Sequence, residues 1–293
     1  MNDNSFSVNL KKRPGSIQNL FGFLMTFLVV ICLLAALIPL FLVLGFIIFK
    51  GGGLINTCLF TQLPPPPGMA DGCFGLGNAI VGTIIVVGIA TIISVPIGIG
   101  SAVYLSEFSG DNQIAKGVRF CTNVLSGVPS IIAGIFAYGL LIATRVVDFS
   151  AIAGGVALSI LMLPTIIKTT DESLKIVPQD VRWAALGVGA YNYQTVLKVV
   201  LPAALPGIIT GITLAIARAA GETAPMIFTA LNSNFWPDSL TDPISTLSVT
   251  VYNFATQPYE SLNQLAWAGS FILVFMVLIT SILSRLATRQ KNT

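Results

Sequence analysis

The 293-residue sequence contains no histidine, which removes the commonest general base and the imidazole metal ligand together. Its four cysteines, Cys32, Cys58, Cys73 and Cys121, do not fall at metal-site spacings. No GxxxxGK run followed by Ser or Thr occurs, so the chain lacks a phosphate-cradling loop with which to bind ATP. Charge is scarce as well: 9% of residues are charged against 54% hydrophobic, far from the balance of a soluble domain. With no nucleophile–base pairing in view, enzymatic chemistry is a poor reading, and neither a cofactor nor a metal is expected.

What the chain has in abundance is apolar sequence. Stretches with few or no charges run over 20–49, 77–104, 121–143, 150–167, 207–231 and 265–287. About 20 residues cross a hydrocarbon core, so six transmembrane helices fit, and the expected fold class is an all-α polytopic membrane protein. With an inner N-terminus, the inner segments hold Lys11, Lys12, Arg13, Lys116, Arg119, Lys168, Lys175, Arg182, Lys198, Arg285, Arg289 and Lys291, and the outer loops hold Lys50 and Arg145 alone. That asymmetry predicts two cytoplasmic termini. The first apolar stretch follows a basic segment without a small-residue cleavage site, and reads as a retained helix rather than a signal peptide.

Four regions are expected: a polar cytoplasmic tail over 1–19, a first helix and outer loop over 20–76, a five-helix core over 77–287, and a short cytoplasmic tail over 288–293. Pro39 allows a kink in the first helix, and Pro64–Pro67 make an extended spacer. Cys58 and Cys73 share the outer loop, as a disulfide or as two free thiols. Pro96, Gly98 and Gly100, then Pro129 and Gly134, read as sites of close helix packing.

The connection between the fourth and fifth apolar stretches is long and carries its own helical pattern. Pro178 and Asp180 suit a helix start, Gly187 and Gly189 allow a turn, and a second short helix runs to Leu201 before Pro202. Trp183, Ala184 and Ala185 on such an element either meet a partner or the membrane surface, or belong to a structural cap.

The fifth stretch contains IARAAGETAP, residues 216–225. Its centre near residue 219 places Arg218 close to the bilayer midplane, where an arginine costs roughly 2.5 to 3.5 kcal/mol. Glu222 lies on the same face one turn on, and Pro225 cannot donate to the carbonyl of Gly221, so the helix should bend or open beside the pair. A permanently charged guanidinium suits an oxyanion, and a nearby carboxylate can hold it at rest. A packing ion pair is the other reading. Thr223, Thr229, Ser126 and Ser130 could add hydrogen bonds along a pathway, or satisfy their own helices.

The segment Trp183-Ala184-Ala185, Gly189 after a three-residue gap, and Val199-Val200-Leu201-Pro202 resembles the coupling loop of binding-protein-dependent ABC-transporter permeases, with Trp183 where that family usually has Glu. GITLAIARAAGETAPMIFTAL at 211–231 and QLAWAGSFILV at 264–274, together with VPIGIGSAVYLSEF and GVPSIIAG, are similar to phosphate-specific transport permeases of the PstA type over roughly 77–287. The resemblance implies a type I (MetI-like) importer core whose coupling loop, 169–203, seats on an ATPase through Trp183, Ala184, Ala185, Gly189, Leu201 and Pro202. It implies Arg218, Glu222 and Thr223 along the substrate pathway of an ATP-driven importer of inorganic phosphate. The implied setting is the bacterial inner membrane. The implied partners are a second, PstC-type permease subunit, two cytoplasmic PstB-type ATPases, a periplasmic phosphate-binding protein and membrane lipid, with no nucleic acid. A permease for sulfate or molybdate and an ion-coupled secondary carrier are the alternatives.

Overall fold

The computed structural model describes residues 17–66, 68–69, 72–110 and 112–289. Lys11, Lys12, Arg13, Lys291, Pro67 and most of both expected tails lie outside them. All regular structure among the described residues is helical. The chain divides into two compact units, Met1–Phe49 and Lys50–Thr293. The first holds all but the last three residues of α1, Ile17–Gly52, which continues through Pro39 and whose side chains from Leu20 onward are exposed almost throughout.

In the second unit, α2 (Thr57–Thr61) leads into α3 (Gly77–Val103), which ends in a π-helical turn, Tyr104–Phe108. Then come α4 (Gln113–Gly127), α5 (Ser130–Ala137, prolonged by a π-helical turn to Ile142) and α6 (Ala151–Ile176). A short α7 (Gln179–Gly187) is followed by α8 (Asn192–Thr195), which runs through a π-helical turn, Val196–Val200, into α9 (Leu201–Ala220). α10 (Ala224–Thr229), α11 (Leu247–Ala255) and α12 (Glu260–Arg289) complete the unit.

Among the described residues, five helical stretches are long and apolar enough to cross a membrane: Leu20–Gly52, Gly77–Phe108, Ala151–Ile176, Asn192–Ala220 and Glu260–Leu286. A sixth crossing exists only if α4 and α5 count as one span, and they are bent by 111°. The apolar run 121–143 is therefore not the single helix that hydropathy suggests. Val128 precedes Pro129, whose ring disfavours helical backbone at the residue before it, and the chain is extended there before α5 starts on Pro129 as its N-cap. The fifth expected helix, 207–231, also differs at both ends. Pro202 does not stop the preceding short helix, because it falls in the first turn of α9, where the missing N–H goes unneeded. At the far end α9 stops at Ala220, and after three intervening residues the chain resumes as α10 at Ala224.

α6 is the central strut and the most buried of the long helices. Lipid offers no hydrophobic force between helices, so close approach at small residues holds the bundle. Gly98 of α3 is one such contact: a Cβ there would lie 2.7 Å from Ile166 of α6. On the opposite flank Gly207 and Gly211 of α9 rest against Ser173 and Thr169 of α6. Val86, Ala90, Leu158, Met162, Ile166, Ala215 and Met226 fill the core between these three helices and α10.

Candidate functional site at the break between α9 and α10

The last turn of α9 ends in a tight cap. Gly221 N–H donates to the carbonyl of Arg218 at 3.1 Å and Glu222 N–H to that of Ala219 at 3.2 Å, so the helix tightens and stops. Pro225 then occupies the first turn of α10, where its lack of an N–H is harmless. The opening that Pro225 predicts is thus a full break over Gly221–Thr223. It has a firm backing: a Cβ on Gly134 of α5 would lie 2.6 Å from the Cα of Pro225.

Arg218 sits at the end of its helix rather than at a helix centre. Its depth follows from the neighbour. Gly207 faces Ser173 and Gly211 faces Thr169, and the same antiparallel register carried one further stretch sets Arg218 opposite Met162, half-way along α6. A helix end in the middle of a bundle leaves polar backbone at membrane depth, which is tolerated where it lines a cavity or is covered by protein.

Arg218 and Glu222 meet through a single contact, Nε to Oε1 at 3.4 Å. The two side chains are unequally placed: Arg218 is 58% exposed and Glu222 15%. Ser248 of α11 donates its hydroxyl to the Glu222 carbonyl oxygen at 2.9 Å, fixing that residue's backbone. Glu222 is therefore the member with the fixed backbone and the covered side chain and Arg218 the exposed one, with the Nη1 and Nη2 donors outside the contact. A guanidinium in the last turn also opposes the negative end of the α9 dipole. The arrangement can exchange one anionic partner for another without moving a helix.

The polar neighbours divide. Thr229 is fully buried and gives its hydroxyl to the Pro225 carbonyl at 2.7 Å, so it serves its own helix. Thr223 is half-buried at the break itself, where its carbonyl caps the start of α10. Ser126 donates to Asn123 O and accepts from Lys168 Nζ at 2.7 Å, beside the α4–α5 break. Ser130 opens α5.

The two halves of the 183–202 pattern fare differently. α7 has no buried residue; Trp183 is 61% exposed, with Ala184 exposed and Ala185 half-buried. Gly189 turns the chain at φ +89°, a left-handed conformation that other residues rarely adopt. Val200 is buried with Leu174, Val177, Ala204 and Ile208, Leu201 packs against that cluster, and Pro202 stays exposed. One half is thus offered outward and the other is rooted in the bundle. Distant from both breaks, Cys58 and Cys73 are joined by a disulfide with Cα atoms 5.6 Å apart, and Cys32 and Cys121 are free.

Ion pairs that the sequence reading passed over flank this region. Asp171 of α6 takes Arg119 of α4 at 3.1 Å and Lys175 one turn along its own helix. Glu107, in the π-helical turn after α3, takes Arg182 of α7 at 2.8 Å. Only the Asp171–Lys175 pair has a local signal, its i,i+4 spacing.

A family of binding-protein-dependent transport system inner membrane components matches residues 94–291, a region that includes α7, the α9–α10 break and the bent α4–α5 pair. The chain belongs to this family. Among its relatives, the phosphate transport system permease protein PstA of Yersinia pestis is 39% identical over 243 residues, covering 83% of this chain and 81% of the relative. PstA of Haemophilus influenzae is 38% identical, covering 84% and 86%. The fold recurs in a bacterial alginate ABC transporter, with a TM-score of 0.68 at 13% identity over 92% of this chain and 94% of the other. It recurs again in the inward-facing MetNI methionine ABC transporter, with a TM-score of 0.59 at 19% identity over 73% and 95%. The chain is thus an all-α permease of the MetI-like kind, a multi-pass membrane subunit of an ABC importer complex rather than an enzyme in its own right.

Proposed function

We propose that this chain is the transmembrane permease subunit of an ATP-driven importer of inorganic phosphate in the bacterial inner membrane, with both termini cytoplasmic. PstA relatives at 38–39% identity support the cargo, and the observation that carries the mechanism is the lopsided Arg218–Glu222 pair at the broken helix. Phosphate reaching the break displaces Glu222 from the guanidinium, which offers several N–H donors and keeps its charge throughout. Thr223, in the break, adds a hydroxyl. When the anion moves on, Arg218 returns to the mostly covered Glu222 carboxylate, so no bare cation is left at midplane.

The energy comes from elsewhere. α7 with Trp183, Ala184 and Ala185, turned by Gly189 and rooted through Leu201 and Pro202, forms the seat for a cytoplasmic ATPase. The full assembly pairs this chain with a PstC-type permease over two PstB-type ATPases and receives phosphate from a periplasmic phosphate-binding protein. The Cys58–Cys73 bond suits an outer loop on the oxidising side.

Arg218→Gln tests the central role. Phosphate uptake by the reconstituted complex should fall by about thirtyfold or more, the effect of losing charge-assisted hydrogen bonds to the anion worth roughly 2 kcal/mol. The complex should still assemble, because Arg218 is not in the core. Undiminished uptake would sink the idea.

A further inference from the structure

Glu107 and Arg182 lie 75 residues apart in sequence and form the most enclosed ion pair among the described residues, with side chains 9% and 12% exposed. The contact has two prongs: Nη2 to Oε1 at 2.8 Å and Nε to Oε2 at 3.3 Å. The same guanidinium donates to the carbonyls of Leu174, at 2.9 Å, and Val177, at the end of α6. One side chain of α7 therefore closes the end of α6, whose last carbonyls lack helical partners, and grips the end of α3.

No residue of α7 is fully buried, and the helix packs on α8 and the following π-helical turn, its neighbours in sequence. Breaking one partner out of an enclosed pair leaves an uncompensated charge, so the link resists separation more than an exposed pair does. A push on α7 accordingly carries Glu107 with it. Glu107 stands in the π-helical turn Tyr104–Phe108, a stretch where the regular helical ladder is relaxed. Beyond it, α3 and α6 touch at Gly98 and Ile166, and α6 touches α9 at Thr169–Gly211 and Ser173–Gly207.

We propose that the Arg182–Glu107 pair is the positioning contact through which movement of α7 reaches the ends of α3 and α6, converting a partner's ATP hydrolysis into opening of the bundle. The inference rests on the reading that α7 seats on an ATPase. Arg182 and Glu107 touch no substrate; they set how much transport each ATP delivers.

The test uses the whole complex in vesicles, with binding protein and ATP, comparing Arg182→Gln, Glu107→Gln and the double variant. Phosphate uptake and ATP hydrolysis are read on the same sample. Uptake should fall by about five- to hundredfold, the range of an ordinary coupling free energy, while hydrolysis changes by less than about twofold. The double variant should be no worse than the worse single one, because both remove one link. A merely structural role would lower both rates in proportion to the complex recovered, leaving phosphate moved per ATP unchanged. If Arg182→Gln reduces assembly, Glu107→Gln, which leaves both carbonyl bonds of Arg182 in place, carries the test alone. Uptake within about twofold of wild type, an unchanged phosphate-to-ATP ratio, or losses that multiply in the double variant would each overturn the proposal. Sulfate and molybdate uptake are measured alongside, so that a wrong cargo shows in the wild type and a wrong link only in the variants.

Discussion

Two residues four apart have different environments, and the difference assigns their roles. Glu222 is held by Ser248 and mostly covered, whereas Arg218 is open and bonded through one nitrogen. If Glu222 serves to park the guanidinium, removing its charge harms transport less than removing the cation. Glu222→Gln should lower the initial rate of phosphate uptake by about tenfold, the loss of one charge-assisted hydrogen bond of roughly 1.5 kcal/mol, and less than Arg218→Gln does. Equal losses in the two variants would instead place Glu222 on the anion itself. The pairing was legible from the i,i+4 spacing alone. The inequality of exposure was not, because burial is set by tertiary packing, and the Ser248 bond to the Glu222 carbonyl comes from 26 residues away.

At the scale of elements, the proposed ATPase seat rests on α7. Its Trp183 is exposed and none of its residues is buried. Trp183→Ala should therefore leave the permease folded and weaken its affinity for the ATPase subunit by about thirtyfold, as truncating an interfacial aromatic anchor does. Unchanged affinity measured by titration would remove Trp183 from that interface. The long apolar helices and α7 were readable because hydropathy and Pro/Gly punctuation agree there. The α4–α5 bend was not, since 121–143 carries no charge and hydropathy cannot see direction; Val128-Pro129 was the available cue. Pro202 misled in the opposite sense, because proline stops a helix only where its N–H is needed. Arg182–Glu107 and Arg119–Asp171 had no signal, since pairs 75 and 52 residues apart exist only once the helices have packed.

For the whole molecule, the proposed function gives the chain a path and a seat and leaves ATP hydrolysis to a partner. Arg218 stands level with the middle of α6 just before the α9 break, exposed and paired through one nitrogen, and α7 carries no buried residue. A carrier driven by an ion gradient needs no such seat, and a sulfate permease would share it, so cargo and energy source are best tested together. The decisive measurement is phosphate accumulation in vesicles containing the full complex with binding protein outside, with ATP inside or absent, and with excess sulfate or molybdate as competitor. Accumulation should require both ATP and the ATPase subunits and should be indifferent to sulfate and molybdate. Phosphate accumulation by the permease pair without any ATPase, or ATP-driven uptake of sulfate or molybdate in place of phosphate, would contradict it.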